Sequence, residues 1–157
     1  MITIEKSAFR EKILDACIAQ KQSSIDDFKV RMKSLLDTEG LGNEEEYDNN
    51  ELSQRGQASD EVNSLNHALS AANEEMSVLR QLKSAIRTTH NKVEPGAVVM
   101  TNKARFIICV GIEQVAVDGD RFIALSAKSP LYLAMRGLPT KSKFYYNGAG
   151  YRINDVF

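Results

Sequence analysis

Apolar residues in the first part of the chain recur at alternating steps of four and three positions, a spacing that aligns them along one side of a helix. Between residues 2 and 36 they fill seven of ten such positions, the exceptions being Ser7, Glu11 and Lys21. The seven are Ile4, Leu14, Ile18, Ile25, Phe28, Met32 and Leu35. Residues 58–86 repeat the pattern with one interruption, through Ala58, Val62, Leu65, Leu69, Ala72, Met76, Leu79 and Ile86. The spacing predicts two long helices.

Each apolar stripe is too narrow to be buried by its own helix, so the two helices are expected to pack on each other. A connection over residues 37–51 makes an antiparallel arrangement the simple geometry. It holds five residues that tolerate turns: Gly40, Gly42, Asn43, Asn49 and Asn50. The prediction is an antiparallel coiled-coil hairpin over residues 1–92 with its tip at 37–51. Pairing of the same helices between two chains is the alternative.

Beyond Pro95 the pattern changes to short runs rich in β-branched and aromatic residues, which are typical of strands. The runs are AVVM, RFIICVGI, VAV, RFIAL, KFYY and YRINDVF, separated by the turn sequences TNKA, VDGD and YNGAG. One helix is predicted among them, because Ser129 suits an N-cap, Pro130 suits the first helical position and Gly137 ends the run. Residues 93–157 are therefore predicted to form a small antiparallel sheet domain with one helix, and the fold class is α+β.

The acidic residues are distributed very unevenly. Residues 37–51 hold seven carboxylates and no Lys or Arg, although the chain of 157 residues has a formal net charge of only -1. The other residues carry 20 bases against 14 acids, so a mildly basic protein has one acidic segment. The start of the chain has acids among its bases and no continuous apolar stretch, so neither a signal peptide nor a transmembrane segment is predicted and a cytoplasmic location is expected.

Two interpretations of the acidic segment are open. Like charges on an exposed turn keep a surface solvated and discourage self-association. Crowded carboxylates without bases also provide the oxygen ligands that Mg²⁺ or Ca²⁺ prefers. The spacing does not match the calcium-binding loop of an EF-hand, so that motif is not predicted.

The isolated cysteines and histidines are not predicted to form a site. Cys17 and Cys109 each lie in an apolar run, which indicates reduced packing residues more than a disulfide. His67 and His90 have no neighbouring residues at metal-ligand spacing, so both are expected at the surface.

The second half of the chain resembles a known family. GAVV at 96–99, LSAKSPLYLAMRG at 125–137 and the closing YRINDVF are similar to segments of the bacterial GreA/GreB transcript-cleavage factors. The middle segment fits the family's S-x-x-S-P-[IL]-x-x-A-x-x-G pattern at Ser126, Ser129, Pro130, Leu131, Ala134 and Gly137. With the acidic tip on a helical hairpin, the resemblance covers essentially the whole chain.

The resemblance implies a transcription elongation factor that binds RNA polymerase. The sheet domain is then FKBP-like and docks on the polymerase, with Ser129, Pro130 and Arg136 as docking candidates, while the coiled coil enters the secondary channel. The tip carboxylates act in trans in the polymerase's cleavage of backtracked RNA; the candidates are Glu39, Glu44, Glu45, Glu46 and Asp48. Among these, Glu44 and Glu46 help to hold a second Mg²⁺ shared with the polymerase. The protein has no cofactor of its own and no membrane partner, contacts the nascent RNA 3′ end only indirectly, and leaves catalysis to the polymerase.

The tip departs from the family pattern, which reads roughly G-D-L-x-E-N-A-E-Y. Placing its E-Y on Glu46 and Tyr47 puts Gly40 and Asn43 where the family has acids. Glu39 and Glu44 are the neighbouring acids that would substitute for them. Because a bound metal is sensitive to placement on the order of half an ångström, a polymerase-binding regulator or inhibitor without cleavage activity is the first alternative.

A folding helper or adaptor built on the FKBP-like domain is the second alternative. It is disfavoured because the aromatic residues of this small domain are expected to build its core; they include Phe106, Phe122, Phe144 and Tyr146.

Basic residues outnumber acidic ones after Gly96, by eight to four. The eight are Lys103, Arg105, Arg121, Lys128, Arg136, Lys141, Lys143 and Arg152. They are interpreted as a solvated surface or as a contact with an acidic polymerase face or with RNA, and the lack of an aromatic-basic RNA-binding motif favours protein contact.

Overall fold

A computed structural model describes the backbone of residues 4–39 and 49–157, and the side chains of residues 4–37 and 59–157. Two long helices come first, α1 (Ile4–Glu39) and α2 (Asn49–Ser84). They are followed by β1 (Val98–Thr101), β2 (Arg105–Cys109), β3 (Ile112–Val117), β4 (Asp120–Ser126), α3 (Pro130–Met135), β5 (Lys143–Tyr146) and β6 (Ala149–Val156). The α+β class is confirmed.

Both long helices extend further than the apolar stripes that predicted them. Helix α1 continues to Glu39, beyond the stripe over residues 2–36, and α2 begins at Asn49, ahead of the stripe that starts at residue 58. The first turns of α2 carry residues such as Leu52, Gln54 and Arg55, which favour helix without forming a stripe. The prediction of a non-helical connection over 37–51 was therefore wrong at both ends, and residues 40–48 lie outside the described part of the chain.

The six strands form one sheet in the order β3-β4-β2-β1-β6-β5. Four of the five strand pairs are antiparallel, but β2 and β4 run parallel, with Phe106 opposite Ile123 and Cys109 opposite Ser126. The prediction of an antiparallel sheet was wrong at this pair. The β3–β4 hairpin places its second strand, not its first, beside β2, so the sheet is mixed.

The two hairpin turns have the residues that their backbone requires. Asp118 and Gly119 have φ values of 52° and 83°, and Asn147 and Gly148 have values of 50° and 76°. Positive φ at both central positions is typical of the turn that matches the twist of paired strands, and Asp-Gly and Asn-Gly are its preferred sequences. The turn signals VDGD and YNGAG are thus confirmed.

Apolar side chains are buried on both faces of the sheet, because successive residues of a strand point to opposite faces. In β2, Ile107 and Cys109 belong to a first cluster, and Phe106 and Ile108 belong to a second. The first cluster joins the sheet to α1 and α2 through Ile13, Leu14, Cys17, Leu79, Val98, Phe122, Ala124 and Phe157, among others. The second cluster lies between the sheet and α3. It includes Val93, Ala97, Val99, Tyr132, Met135, Phe144, Ile153 and Val156.

The described chain divides into two compact units. One comprises Met1–Gln20 with Ser77–Phe157, and the other is Lys21–Met76. The first contains the sheet and both apolar clusters. The division into functional domains at 1–92 and 93–157 stays a prediction. Among the described helices, none is both long and apolar enough to cross a bilayer.

Candidate functional site

The acidic segment that the sequence singles out falls mostly outside the described residues. Glu39 is the last residue of α1, and its side chain is not described. Glu44, Glu45, Glu46 and Asp48 lie outside the described chain altogether. Their assignment as carboxylates that act in trans, and that of Glu44 and Glu46 as metal ligands, stays a prediction.

Within the unit Lys21–Met76, ion pairs connect the two helices that flank this segment. Lys21 Nζ lies 3.2 Å from a carboxylate oxygen of Glu75, and Arg31 Nε donates to Glu61 at 3.1 Å. The earlier α1 residue, Lys21, pairs with the later α2 residue, Glu75, and the later α1 residue, Arg31, pairs with the earlier α2 residue, Glu61. The helices therefore run in opposite directions within this unit. The Arg31–Glu61 pair is exposed and contributes at most about 1 kcal/mol, whereas the Lys21 side chain is only 13% exposed. The order of the two pairs along the helices establishes the relative direction of α1 and α2 in this unit.

Among the side chains of this unit that the structure describes, the buried apolar ones are Ile25, Ala72 and Met76, with exposed fractions of 2%, 4% and 3%. All three belong to the apolar stripes by which the sequence predicted the helices. Towards the acidic segment the apolar residues are only half-buried, as Met32 and Val62 are, and Val30 is 69% exposed. The described side chains nearest the acidic segment therefore bury little apolar surface.

In the other unit, Arg10 holds the end of α2. It is 1% exposed, and its Nη2 donates to the carbonyl oxygens of Ile86 and, at 2.7 Å, of Thr88. The Ser7 hydroxyl also donates to Ile86 at 3.2 Å. These carbonyls follow the last turn of α2, where helical partners are missing. Burial lowers the pKa of the Arg10 guanidinium, whereas a hydrogen bond from Lys83 to Asp15 of α1 raises the pKa of that amine.

The proposed docking residues lie at the two ends of α3. Ser129 is the N-cap, with its backbone carbonyl accepting from Leu133 N at 3.0 Å and no side-chain capping bond. Pro130 occupies the first turn, and Arg136 follows the last helical residue. Tyr132 and Met135 are buried beneath the helix, while Pro130, Leu133 and Arg136 are exposed. The helix therefore presents a mixed apolar and basic outer surface.

An open pocket of about 390 Å³ lies beside the C-terminal end of α3. Its lining includes Lys92, Glu94, Pro95, Tyr132 and Arg136. The structure thus brings Arg136 together with Lys92 and Glu94, and it leaves Ser129 and Pro130 out of the lining. Glu94 and Lys92 come from the segment between α2 and β1, which the sequence analysis did not connect with α3. The sequence carries no signal for this contact, because residues of a loop that meet a helix leave no periodic pattern.

His90 is not the surface histidine that the sequence predicted. Its side chain is 9% exposed, and its Nδ1 lies 2.7 Å from Glu94 Oε1. A Cβ at Gly96, which has a φ of 91°, would lie 3.2 Å from His90 Nε2 and 3.3 Å from Leu82 Cδ2. The ring therefore packs on the Gly96 backbone, in a place that only a glycine leaves open. His67 is exposed, as predicted.

The phenylalanines that the sequence predicted for the core of the sheet are buried, and Tyr146 is half-buried. Phe106, Phe122 and Phe144 have exposed fractions of 1%, 0% and 5%. Phe144 also stacks on Tyr151, with ring centroids 4.9 Å apart and planes 4° apart. Cys17 and Cys109 are buried, as expected of packing residues. Across residues whose side chains are described, no three His, Cys, Asp or Glu side chains come together as a metal site would need.

The chain was compared with family models, with curated proteins and with solved structures, and no significant match was found in any of the three comparisons. The resemblance to the Gre factors rests on the sequence segments quoted above.

Proposed function

We propose that this protein is a Gre-like transcription elongation factor that binds bacterial RNA polymerase and stimulates cleavage of backtracked RNA. The observation that carries the proposal is the placing of the acidic segment between two helices of 36 residues each. Helices of this length reach about 54 Å at a rise of 1.5 Å per residue, which suits the delivery of carboxylates into a deep channel.

The proposal includes two finer structural statements. The long helices form an antiparallel coiled-coil hairpin, which is supported by the order of the Lys21–Glu75 and Arg31–Glu61 pairs. The domain over residues 93–157 is FKBP-like, which is supported by a sheet with one short helix packed on one face. Docking through Ser129, Pro130 and Arg136 is consistent with their place around the exposed side of α3.

In the proposed mechanism the polymerase is the enzyme. A second Mg²⁺ stabilises the attacking and leaving oxygens of RNA hydrolysis when it is bound. Carboxylates are the ligands that this hard cation prefers, so the donor chemistry of Glu44 and Glu46 fits it. The remaining acids, Glu39, Glu45 and Asp48, raise the local negative potential that attracts the cation. A cytoplasmic location follows from the polymerase partner.

A Gre-like regulator that binds polymerase without supporting cleavage is the second candidate. The observation that favours it is that Gly40 and Asn43 stand where the family has acids. In that case the acidic segment occupies the channel and slows synthesis. A folding helper has less support, because Phe106, Tyr132 and Phe144 are buried and fill the face beneath α3.

The proposal predicts that Glu44→Ala and Glu46→Ala each reduce cleavage of backtracked RNA. We expect a loss of about tenfold or more, the size seen when support for a catalytic metal is removed. The measurement is the cleavage rate in stalled elongation complexes with purified polymerase. The matched control is Glu74→Ala, which removes an exposed acid of α2 outside the acidic segment and should leave the rate unchanged.

Each other outcome of this assay has a defined meaning. Binding without cleavage by the unmodified protein, together with slower synthesis, would favour the regulator. An equal loss for Glu44→Ala and Glu74→Ala would contradict a specific role of the acidic segment. No binding to polymerase would contradict both candidates.

A further inference from the structure

One face of the β5–β6 hairpin is basic and aromatic. Lys143 lies opposite Arg152 and Tyr145 lies opposite Gly150, so these four residues share one face, named here the β5–β6 outer face. The alternate residues point to the other side, where Phe144 belongs to the second apolar cluster and Tyr146 and Tyr151 pack against it. The strand register therefore separates an apolar side from a polar side.

The β5–β6 outer face is open to solvent in the described structure. Tyr145 is 77% exposed, and Lys143 and Arg152 are also exposed. The first apolar cluster, which covers this side of the sheet further along, includes Phe157 but none of these four residues. A large aromatic side chain is thus left uncovered next to a pair of cationic ones, which lie two positions further along the hairpin.

The positive charge of this face has no described counter-charge. Like charges directly opposite on paired strands are unfavourable, and among the described side chains no acid forms an ion pair with Lys143 or Arg152. Residues 121–154 contain six bases and no Asp or Glu. A lysine on an edge strand discourages edge-to-edge pairing. Protection of a sheet edge can explain Lys143 on β5 but not Arg152, since β6 is paired on both sides, with β1 and β5.

The ring of Tyr145 lies against the backbone of the neighbouring strand β6. A Cβ at Gly150 would lie 3.2 Å from Tyr145 Cε1 and 3.6 Å from Cδ1, so the ring rests against the glycine backbone. The absence of a side chain at residue 150 lets the ring approach the sheet, while most of its surface stays exposed. A tyrosine side chain has only two χ angles, so little conformational entropy is lost when a flat partner stacks on its ring.

We propose that the β5–β6 outer face binds single-stranded nucleic acid, with a base stacked on Tyr145 and the adjoining phosphates contacted by Lys143 and Arg152. An exposed aromatic ring beside basic side chains on a sheet surface is an arrangement that binds single strands without sequence preference. An acidic protein would also be attracted by the positive charge, but binding such a partner does not explain the exposed ring of Tyr145. The proposal is independent of the acidic segment and of polymerase cleavage.

The test uses Tyr145→Trp in the full chain, because the protein has no other Trp and the fluorescence then reports on residue 145 alone. Octauridylate and octathymidylate are titrated at low salt, with polyglutamate of equal charge as the protein-like competitor. We expect quenching that saturates with either oligonucleotide and none with polyglutamate. Comparison of the two oligonucleotides distinguishes RNA from DNA as the preferred strand.

Further variants separate the stacking contribution from the charge contribution. Labelled octauridylate should bind Tyr145→Ala about tenfold more weakly than the unmodified protein, and Tyr145→Phe about equally well. Lys143→Gln with Arg152→Gln should reduce the slope of log affinity against log salt by about 1.4, as expected for two phosphate contacts. Arg121→Gln, which removes an exposed base of β4, is the matched control and should change neither value. Thermal unfolding midpoints confirm that each variant is folded.

Three results would overturn the proposal. They are quenching by polyglutamate equal to that by oligonucleotide, unchanged affinity in a folded Tyr145→Ala variant, and an effect of Arg121→Gln as large as that of the double variant. None of them bears on the cleavage assay, so the two proposals fail separately.

Discussion

Replacing Arg10 by Met is expected to lower the free energy of unfolding by about 3 kcal/mol. The substitution keeps much of the length of the side chain but removes the donors to the Ile86 and Thr88 carbonyls. Those oxygens lose a charged donor, and the Ser7 hydroxyl reaches only the first of them. A hydrogen bond to a charged group contributes about 1.5–3 kcal/mol. Denaturant unfolding, followed by circular dichroism, measures the change.

The matched control for Arg10→Met is Arg80→Met, the same substitution at an exposed position of α2. It should change the free energy of unfolding by less than about 0.5 kcal/mol. Equal effects of the two variants would mean that Arg10 does not stabilise the end of α2. Addition of Ser7→Ala to Arg10→Met should deepen the loss, because Ile86 then has neither side-chain donor.

Replacing Phe122 by Ala is expected to lower the free energy of unfolding by about 4 kcal/mol. The ring is fully buried in the middle of β4 and belongs to the cluster that joins the sheet to the first turns of α1. It meets Phe9 edge to face, with centroids 5.6 Å apart. The Ala variant loses both the buried area and this contact and leaves a cavity. The same unfolding measurement detects the change.

A graded series controls for the Phe122 result. Phe122→Leu keeps most of the volume and should cost only about 1.5 kcal/mol. A double-mutant cycle with Phe9→Ala should give a coupling energy of about 1 kcal/mol for the aromatic pair. A loss in Phe122→Ala no larger than that in Phe122→Leu would contradict the packing described for this cluster.

The helices were predictable from the sequence, but their ends were not. An apolar stripe is present only where a helix buries one side against another element, so it does not mark the parts of a helix that are exposed all round. Residues 49–57 are helical without an apolar stripe, so the pattern that predicts helices gives no sign of this part. The supposed connection was consequently predicted too long.

The strands and their turns were also predictable, whereas the pairing of β2 with β4 was not. Alternation and the Asp118-Gly119 turn are local signals, and both appear in the chain. Both strands of the β3–β4 hairpin carry buried apolar residues, such as Val115 and Ala124 at 3% exposure each, so the apolar pattern does not decide which of them lies beside β2. That pairing is known only from the packed structure.

For the candidate sites, the sequence indicated charge but not contacts. Arg10 is one base among several in its segment, and nothing local marks it as buried. His90 and Glu94 are four residues apart, but the burial of the ring depends on Gly96 and Leu82. Tyr145 was not singled out by the sequence, and only the strand register places it on one face with Lys143 and Arg152. The acidic segment is assigned from the sequence alone.

The most direct test of the proposed function is photo-crosslinking from the acidic segment to the 3′ end of the RNA. Tyr47 is replaced by benzoylphenylalanine, and the protein is irradiated with backtracked elongation complexes that carry RNA labelled at its 3′ end. Delivery of the segment into the polymerase predicts a crosslink to the labelled RNA or to the polymerase peptides around the catalytic Mg²⁺. The same replacement at Leu133, on the exposed side of α3, should crosslink the polymerase but not the RNA 3′ end. A crosslink from residue 133 with none from residue 47 at the RNA end or the active centre would contradict the proposed function.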